Sequence, residues 1–190
     1  MTGLFFGSFN PIHIGHLIVA EFLCDEAGLS AVWFVVSPQN PFKKPAQLAD
    51  VRHRLRMVQL AVAGNRRFHV SDIELHLPTP SYSVRTLQVL KERYPRRSFA
   101  LLMGSDTLHS LPRWKNGKEL MRNYPVLVYR RSSSKQQEMM PLPNIRFFDA
   151  PTLPVSASGI RSRLRRGQSV RYLVPEAVRR YMLRHKLYSP

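Results

Sequence analysis

Two histidines three residues apart, His13 and His16, lie in the stretch "GSFNPIHIGH", between an apolar run and a helix-like run. Two glycines and a proline share the stretch. At i and i+3 of a starting helix the two rings can reach the same side of the turn. Three chemistries compete for such a pair: metal ligation, incidental packing, and phosphate binding. A metal needs at least a third ligand, and the other five histidines (His53, His69, His76, His109, His185) are scattered. Cys24 is the single cysteine, and no His-Glu-x-x-His spacing occurs. Phosphate binding fits better. Gly7 follows a strand where a Cβ would obstruct close approach. Gly15 sits near a first helical turn, whose N–H groups lack internal partners and carry the positive end of the helix dipole. Imidazoles donate to phosphate oxygens and hold a proton more readily beside them. Neither the Gly-x-Gly-x-x-Gly nor the Walker A pattern occurs, which argues against a dinucleotide oxidoreductase or a P-loop NTPase. Taken alone, the stretch is an anion cradle with no substrate attached to it.

A cradle of this kind needs strands and helices to hold it. Gly3 to Phe6, "AVWFVVS" (31–37), "SFALLMGS" (98–105), "PVLVYRR" (125–131) and "IRFFDA" (145–150) are apolar and β-prone, and "RFHVSDIEL" (67–75) alternates; all six read as strands. Helices are expected over 17–27, from a cap at Asp50 to Gly64, over 83–94, over 158–167, and over 175–186 with Pro175 at the first position. Strand and helix alternate at βαβ spacing. The expected fold class is α/β: a Rossmann-like open, mostly parallel sheet with helices on both faces and a small C-terminal helical segment. Ligands in such folds sit beyond the carboxyl ends of the strands. One domain over 1–190 is expected, its helical C-terminal part from about 156 to 190. The polar stretch 131–143 reads as a mobile surface loop.

Composition narrows the class. With 44% apolar residues the chain can bury a core. No run approaches the roughly 18 apolar residues of a membrane helix, and no secretory leader is visible. A lone cysteine makes a cytoplasmic setting the default. Lys plus Arg number 29 against 12 acids, a net charge of +17. Nine of those cations and one acid, Glu176, lie between Arg161 and Pro190. Such a balance suits a polyanion, a nucleotide or simply a solvated basic face. A basic nucleic-acid-binding protein is one reading of this charge, although no nucleic-acid module is present.

The opening stretch resembles the HxGH signature of the nucleotidylyltransferase superfamily, in its Gly-x-Phe-x-Pro-x-His-x-Gly-His form. A second stretch, "VSASGIRSRL", resembles that family's Ser-x-x-x-x-Ile-Arg motif. The resemblance implies that Gly7, Ser8, Phe9, Gly15, Ser156, Ser158 and Ile160 surround ATP, with His13, His16 and Arg161 on its phosphates. "DIELHLPTPSYSVRTL", "GSDTLHSLPRWKNGKEL" and "SPQNPFKKP" are similar to segments of bacterial nicotinate-nucleotide adenylyltransferases. That likeness implies a helix start at Ser83 receiving the nicotinate carboxylate, Trp114 stacking on the pyridine, and the Lys115 backbone helping. It also implies Gly104 and Asp106 at the nucleotide, and Lys43 or Lys44 on the triphosphate. No protein metal site is implied; Mg²⁺ would be held mainly by ATP phosphates and water. The expected reaction is adenylyl transfer from ATP to nicotinate mononucleotide, giving deamido-NAD and pyrophosphate. Nicotinamide mononucleotide and phosphopantetheine are the alternative acceptors, and a homo-oligomer is left open. Asn10 stands where the family often has aspartate, and Ser83 where threonine is usual.

Overall fold

The structure, a computed structural model, describes residues 1–39, 48–130, 143–151 and 153–189. Six strands form one sheet: β1 (Thr2–Gly7), β2 (Ala31–Val36), β3 (Phe68–Ser71), β4 (Phe99–Gly104), β5 (Val126–Tyr129) and β6 (Ile145–Phe148). Their order is β3-β2-β1-β4-β5-β6, and every pairing is parallel. The chain therefore reverses its direction of winding between β1 and β4, the point where such sheets open a crevice at their carboxyl edge.

The alternation of side chains along each strand feeds two cores. Phe5, Phe34 and Leu102 face one side, where they meet α1 (Ile14–Glu26), α2 (Val51–Val62), α6 (Ala157–Arg165) and α7 (Glu176–Arg184). Leu4, Val35 and Leu101 face the other, against α3 (Ser83–Arg93) and α5 (Gly117–Asn123). Helices thus cover both faces, as the βαβ spacing implies. Asp50 caps α2 as expected, its Oδ1 accepting from the Arg52 amide at 2.8 Å.

Three details depart from the sequence reading. The alternating stretch 67–75 is a strand only over Phe68–Ser71; the chain then closes into a 3-10 turn, Ile73–His76, in which the Leu75 amide bonds to Asp72 O. The turn buries the adjacent Ile73 and Glu74 together, which a strand's alternation would not do. Between β4 and β5 lie a short helix α4 (Ser105–Leu108), a 3-10 turn (Leu111–Arg113) and α5, where turn-like residues had given no helical period. Pro175 lies just before α7 rather than inside it, a one-residue difference of boundary. The loop residues 131–142 and Lys43 and Lys44 lie outside the described residues.

Candidate active site

Beyond the carboxyl ends of β1 and β4 is a cavity of about 600 Å³. Its wall begins with the glycine that ends β1. A Cβ on Gly7 would come within 2.8 Å of the Phe9 ring, which folds back beneath it on a left-handed backbone (φ 43°). Glycine is needed there because Phe9 occupies the space a side chain would take.

His13 precedes α1 with extended backbone and is buried. His16 lies in the first turn and lines the cavity. Their rings stack, 3.7 Å between centroids and 27° between planes. Phe5 and Phe9 hold His16 edge-on, with centroids at 5.8 and 5.3 Å. The His16 Nδ1 accepts the His13 amide at 3.2 Å. A neutral His16 ring so bonded carries its proton on Nε2, which makes that nitrogen a donor.

Two further helices start at the same cavity. Ser156 caps α6, its Oγ accepting from the Gly159 amide at 3.1 Å and lying 3.2 Å from the Ser158 Oγ. Ala157, Ser158 and Arg161 line the wall there. Arg161 Nη1 donates to the Asn10 carbonyl at 2.7 Å, which links the two distant motifs. α3 starts at Ser83 with no capping side chain, so first-turn amides point outward with the dipole. Ser81, Tyr82 and Ser83 line the cavity here, as do Trp114 and Lys115. Trp114 is half-buried: its Nε1 donates to Ser110 Oγ at 3.1 Å, and it packs on the second core. The Lys115 ammonium sits 4.8 Å from the centre of the Tyr82 ring.

Of the residues expected at the site, Gly7, Ser8, Phe9, His16, Ser83, Gly104, Trp114, Lys115, Ser158 and Arg161 line this one cavity. His13, Gly15, Asp106, Ser156 and Ile160 do not form its wall. His13 lies behind His16, and Ser156 shapes the helix start. Asp106 is exposed past β4. The Ile160 side chain is fully in the core, so it anchors α6 rather than reaching a ligand.

Sequence reasoning missed two buried ionisable residues. Arg54, 1% exposed on α2, donates from Nε to Ala49 O at 2.9 Å, from Nη1 to Ser8 O at 2.8 Å and Ser37 O at 2.7 Å, and from Nη2 to Pro38 O at 2.8 Å. Burial lowers its pKa, with Tyr188 and Asp50 acting in the opposite sense. Glu74, 1% exposed, lines the cavity floor and accepts from Thr86 Oγ1 at 2.8 Å. Burial raises its pKa, opposed by the hydroxyls of Ser37, Thr86 and Ser81. Below about pH 4.5, its ordinary value, the carboxyl is protonated whether folded or not. Above that, the unfolded chain ionises freely and the folded one resists, so stability falls as pH rises through the folded pKa. Glu74→Gln is expected to match the wild type in thermal unfolding at pH 4 and to exceed it at pH 8. A parallel pair of Tm-versus-pH curves would refute this.

The comparisons with known proteins follow this geometry. The cytidylyltransferase-like family matches residues 4–163. The probable nicotinate-nucleotide adenylyltransferase of Cytophaga hutchinsonii is 44% identical over 98% of this chain and 97% of its own. That of Bacteroides fragilis is 45% identical over 93% of this chain and 88% of its own. The chain belongs to the nicotinate-nucleotide adenylyltransferase family. Among solved structures, the Plasmodium falciparum nicotinic acid mononucleotide adenylyltransferase complexed with NaAD superposes with a TM-score of 0.82. It is 20% identical and covers 98% of this chain and 96% of its own, a likeness of fold. The Rossmann-like α/β architecture and the membership implied by the two motifs therefore both hold.

Proposed function

We propose that the chain transfers the adenylyl group of ATP to nicotinate mononucleotide, giving deamido-NAD and pyrophosphate in NAD biosynthesis. The observation that carries this reading is one cavity whose lining combines two chemically distinct sets of groups. His16, Arg161 and the α6 amides make a set suited to phosphate. The α3 amides with Trp114 make a set suited to an aromatic carboxylate.

An oxygen of the mononucleotide phosphate attacks the α-phosphorus of ATP in line. The bond from that phosphorus to the bridging oxygen breaks, and pyrophosphate leaves with the electron pair. The attacking phosphate is already ionised, so catalysis rests on placement and charge stabilisation. His16 donates through Nε2–H to an α-phosphate oxygen gaining charge. His13, stacked behind it, fixes its orientation. Arg161 forks onto the outer phosphates, Ser156 and Ser158 set the α6 amides toward them, and Gly7, Ser8 and Phe9 line their approach. Lys43 or Lys44 adds a point charge from the loop after β2. Gly104 ends β4 at the nucleotide, with Asp106 and Gly15 adjacent. Ser83, Trp114 and the Lys115 backbone hold the nicotinate.

Mg²⁺ fits this lining as an ion held by phosphate and water. The wall offers hydroxyls, an imidazole, two guanidiniums and an ammonium with the one carboxyl of Glu74, and no group of three His, Cys, Asp or Glu side chains suited to a metal occurs among the described residues. It would supply charge neutralisation across the phosphates. One domain of residues 1–190 in the cytoplasm is part of this proposal. Among the described residues no helix is long and apolar enough to cross a membrane.

Pyrophosphate release from ATP tests the reading, with nicotinate mononucleotide, nicotinamide mononucleotide and phosphopantetheine as rival acceptors. Release with the first at far lower KM supports it; preference for either other acceptor refutes it. Salt-sensitive polynucleotide binding without pyrophosphate release would instead favour the basic nucleic-acid-binding class. Within the same assay Trp114→Ala is expected to raise the KM for nicotinate mononucleotide by about tenfold or more, as loss of an aromatic stacking platform predicts. The KM for ATP should hold; equal rises in both would count against the stacking.

A further inference from the structure

Asn10 is a junction between three distant parts of the chain. Its Oδ1 accepts from the Ala49 amide at 3.1 Å and from the Tyr188 hydroxyl at 2.7 Å. Its backbone carbonyl accepts from Arg161 Nη1 at 2.7 Å. Asn10 and Arg161 both line the cavity. Tyr188 lies past α7, where the chain turns through two left-handed non-glycine residues, Lys186 (φ 49°) and Tyr188 itself (φ 64°). Such backbone persists only where surrounding contacts over-determine it. The contacts are present: the Leu187 amide bonds to Met182 O at 2.9 Å, and Leu187 and Tyr188 both pack on the first core. α7 is itself tied to α2 by His53 Nδ1 and the Tyr181 hydroxyl, 2.9 Å apart.

We propose that Tyr188 is a positioning residue for the phosphate-binding groups of the site, acting on Arg161 through Asn10. The inference rests on the adenylyl-transfer reading for what Arg161 grips. The charges of Arg54 and Arg161 favour the ionised phenol, yet burial outweighs them and raises its pKa, so it stays a donor at working pH. Its hydrogen bond fixes the Asn10 side chain from one side while Ala49 fixes it from another. The Asn10 carbonyl then holds the Arg161 guanidinium at the wall before ligand arrives. A carboxylate at position 10 would draw the guanidinium by charge; the neutral amide leaves its charge directed at the phosphates.

Tyr188→Phe removes the hydroxyl and keeps the ring. Its expected effect is a three- to tenfold rise in the ATP KM, about the size of one lost hydrogen bond, with the KM for nicotinate mononucleotide held near wild type and only the small fall in Tm that losing one such bond brings. ATP binding by calorimetry should weaken by the same factor. In an Arg161→Ala background the substitution should then add nothing, because the link has lost its far end. A merely structural tyrosine would instead shift both KM values together and add its effect in the Arg161→Ala background; either overturns the proposal, as does an unchanged ATP affinity. Calorimetry separates the two failures. If the wild type binds ATP but releases no pyrophosphate, the adenylyl-transfer reading falls, while the comparison of ATP affinities still decides the role of Tyr188.

Discussion

His16→Ala is expected to cut turnover by at least about 100- to 1000-fold, the scale of removing one donor aimed at developing charge, while ATP still binds. The geometry explains the asymmetry. His16 meets the cavity through one nitrogen, because Nδ1 is engaged by the His13 amide. Its stacking on His13 and edge contacts with Phe5 and Phe9 hold the ring in place before ATP arrives. A donor fixed in advance costs no reorganisation when charge builds on the α-phosphate. In the proposed reading ground-state affinity rests instead on Arg161 and the amides of α6, which the substitution leaves alone. Single-turnover pyrophosphate release and ATP binding by calorimetry read the two quantities separately. Near-normal turnover would remove His16 from the mechanism, and a parallel loss of ATP affinity would make it a binding residue.

The largest stability effect is expected at Arg54. Arg54→Met keeps the apolar stem on α2 but withdraws the donors of four carbonyls, those of Ser8, Ser37, Pro38 and Ala49. Breaking a buried charged network typically costs about 3–5 kcal/mol, read as a lower urea midpoint with unchanged slope. Arg54→Lys should recover little, since an ammonium cannot reach carbonyls on three segments with one planar fork. A loss below about 1 kcal/mol, the net worth of one ordinary hydrogen bond, would show that the segments hold one another without it.

These residues also mark what the sequence could and could not reveal. The strands were legible because both faces of the sheet are covered, so "AVWFVV" and "FALLMG" run apolar without alternation. The shared cavity lining of Gly7, Ser8, Phe9, His16, Ser158 and Arg161 was legible because these residues cluster in short motifs at strand-to-helix turns. Arg54 was not, because "VRHRLRM" reads as a basic surface face; only the carbonyls gathered from three loops make its burial favourable. Glu74 was hidden because the strand pattern over 67–75 gives no sign of a turn that buries it beside Ile73. Asn10 had no interpretation until its amide met a residue 178 positions away, a contact that no local pattern encodes. The acceptor groups lay between, since Trp114 is both a wall of the cavity and a side chain of the second core.

The parallel order of the sheet has a kinetic consequence. Its central pairing joins Leu4 to Leu101 and Phe5 to Leu102. Parallel neighbours cannot meet through a tight hairpin, so loop closure over long stretches must precede the contacts that reward it. The chain carries two tryptophans, Trp33 inside β2 and Trp114 at the cavity. They give a refolding experiment two clocks: Trp33, edge-on to Phe99 of β4, for the moment the two halves of the sheet join, and Trp114 for the completion of the cavity wall.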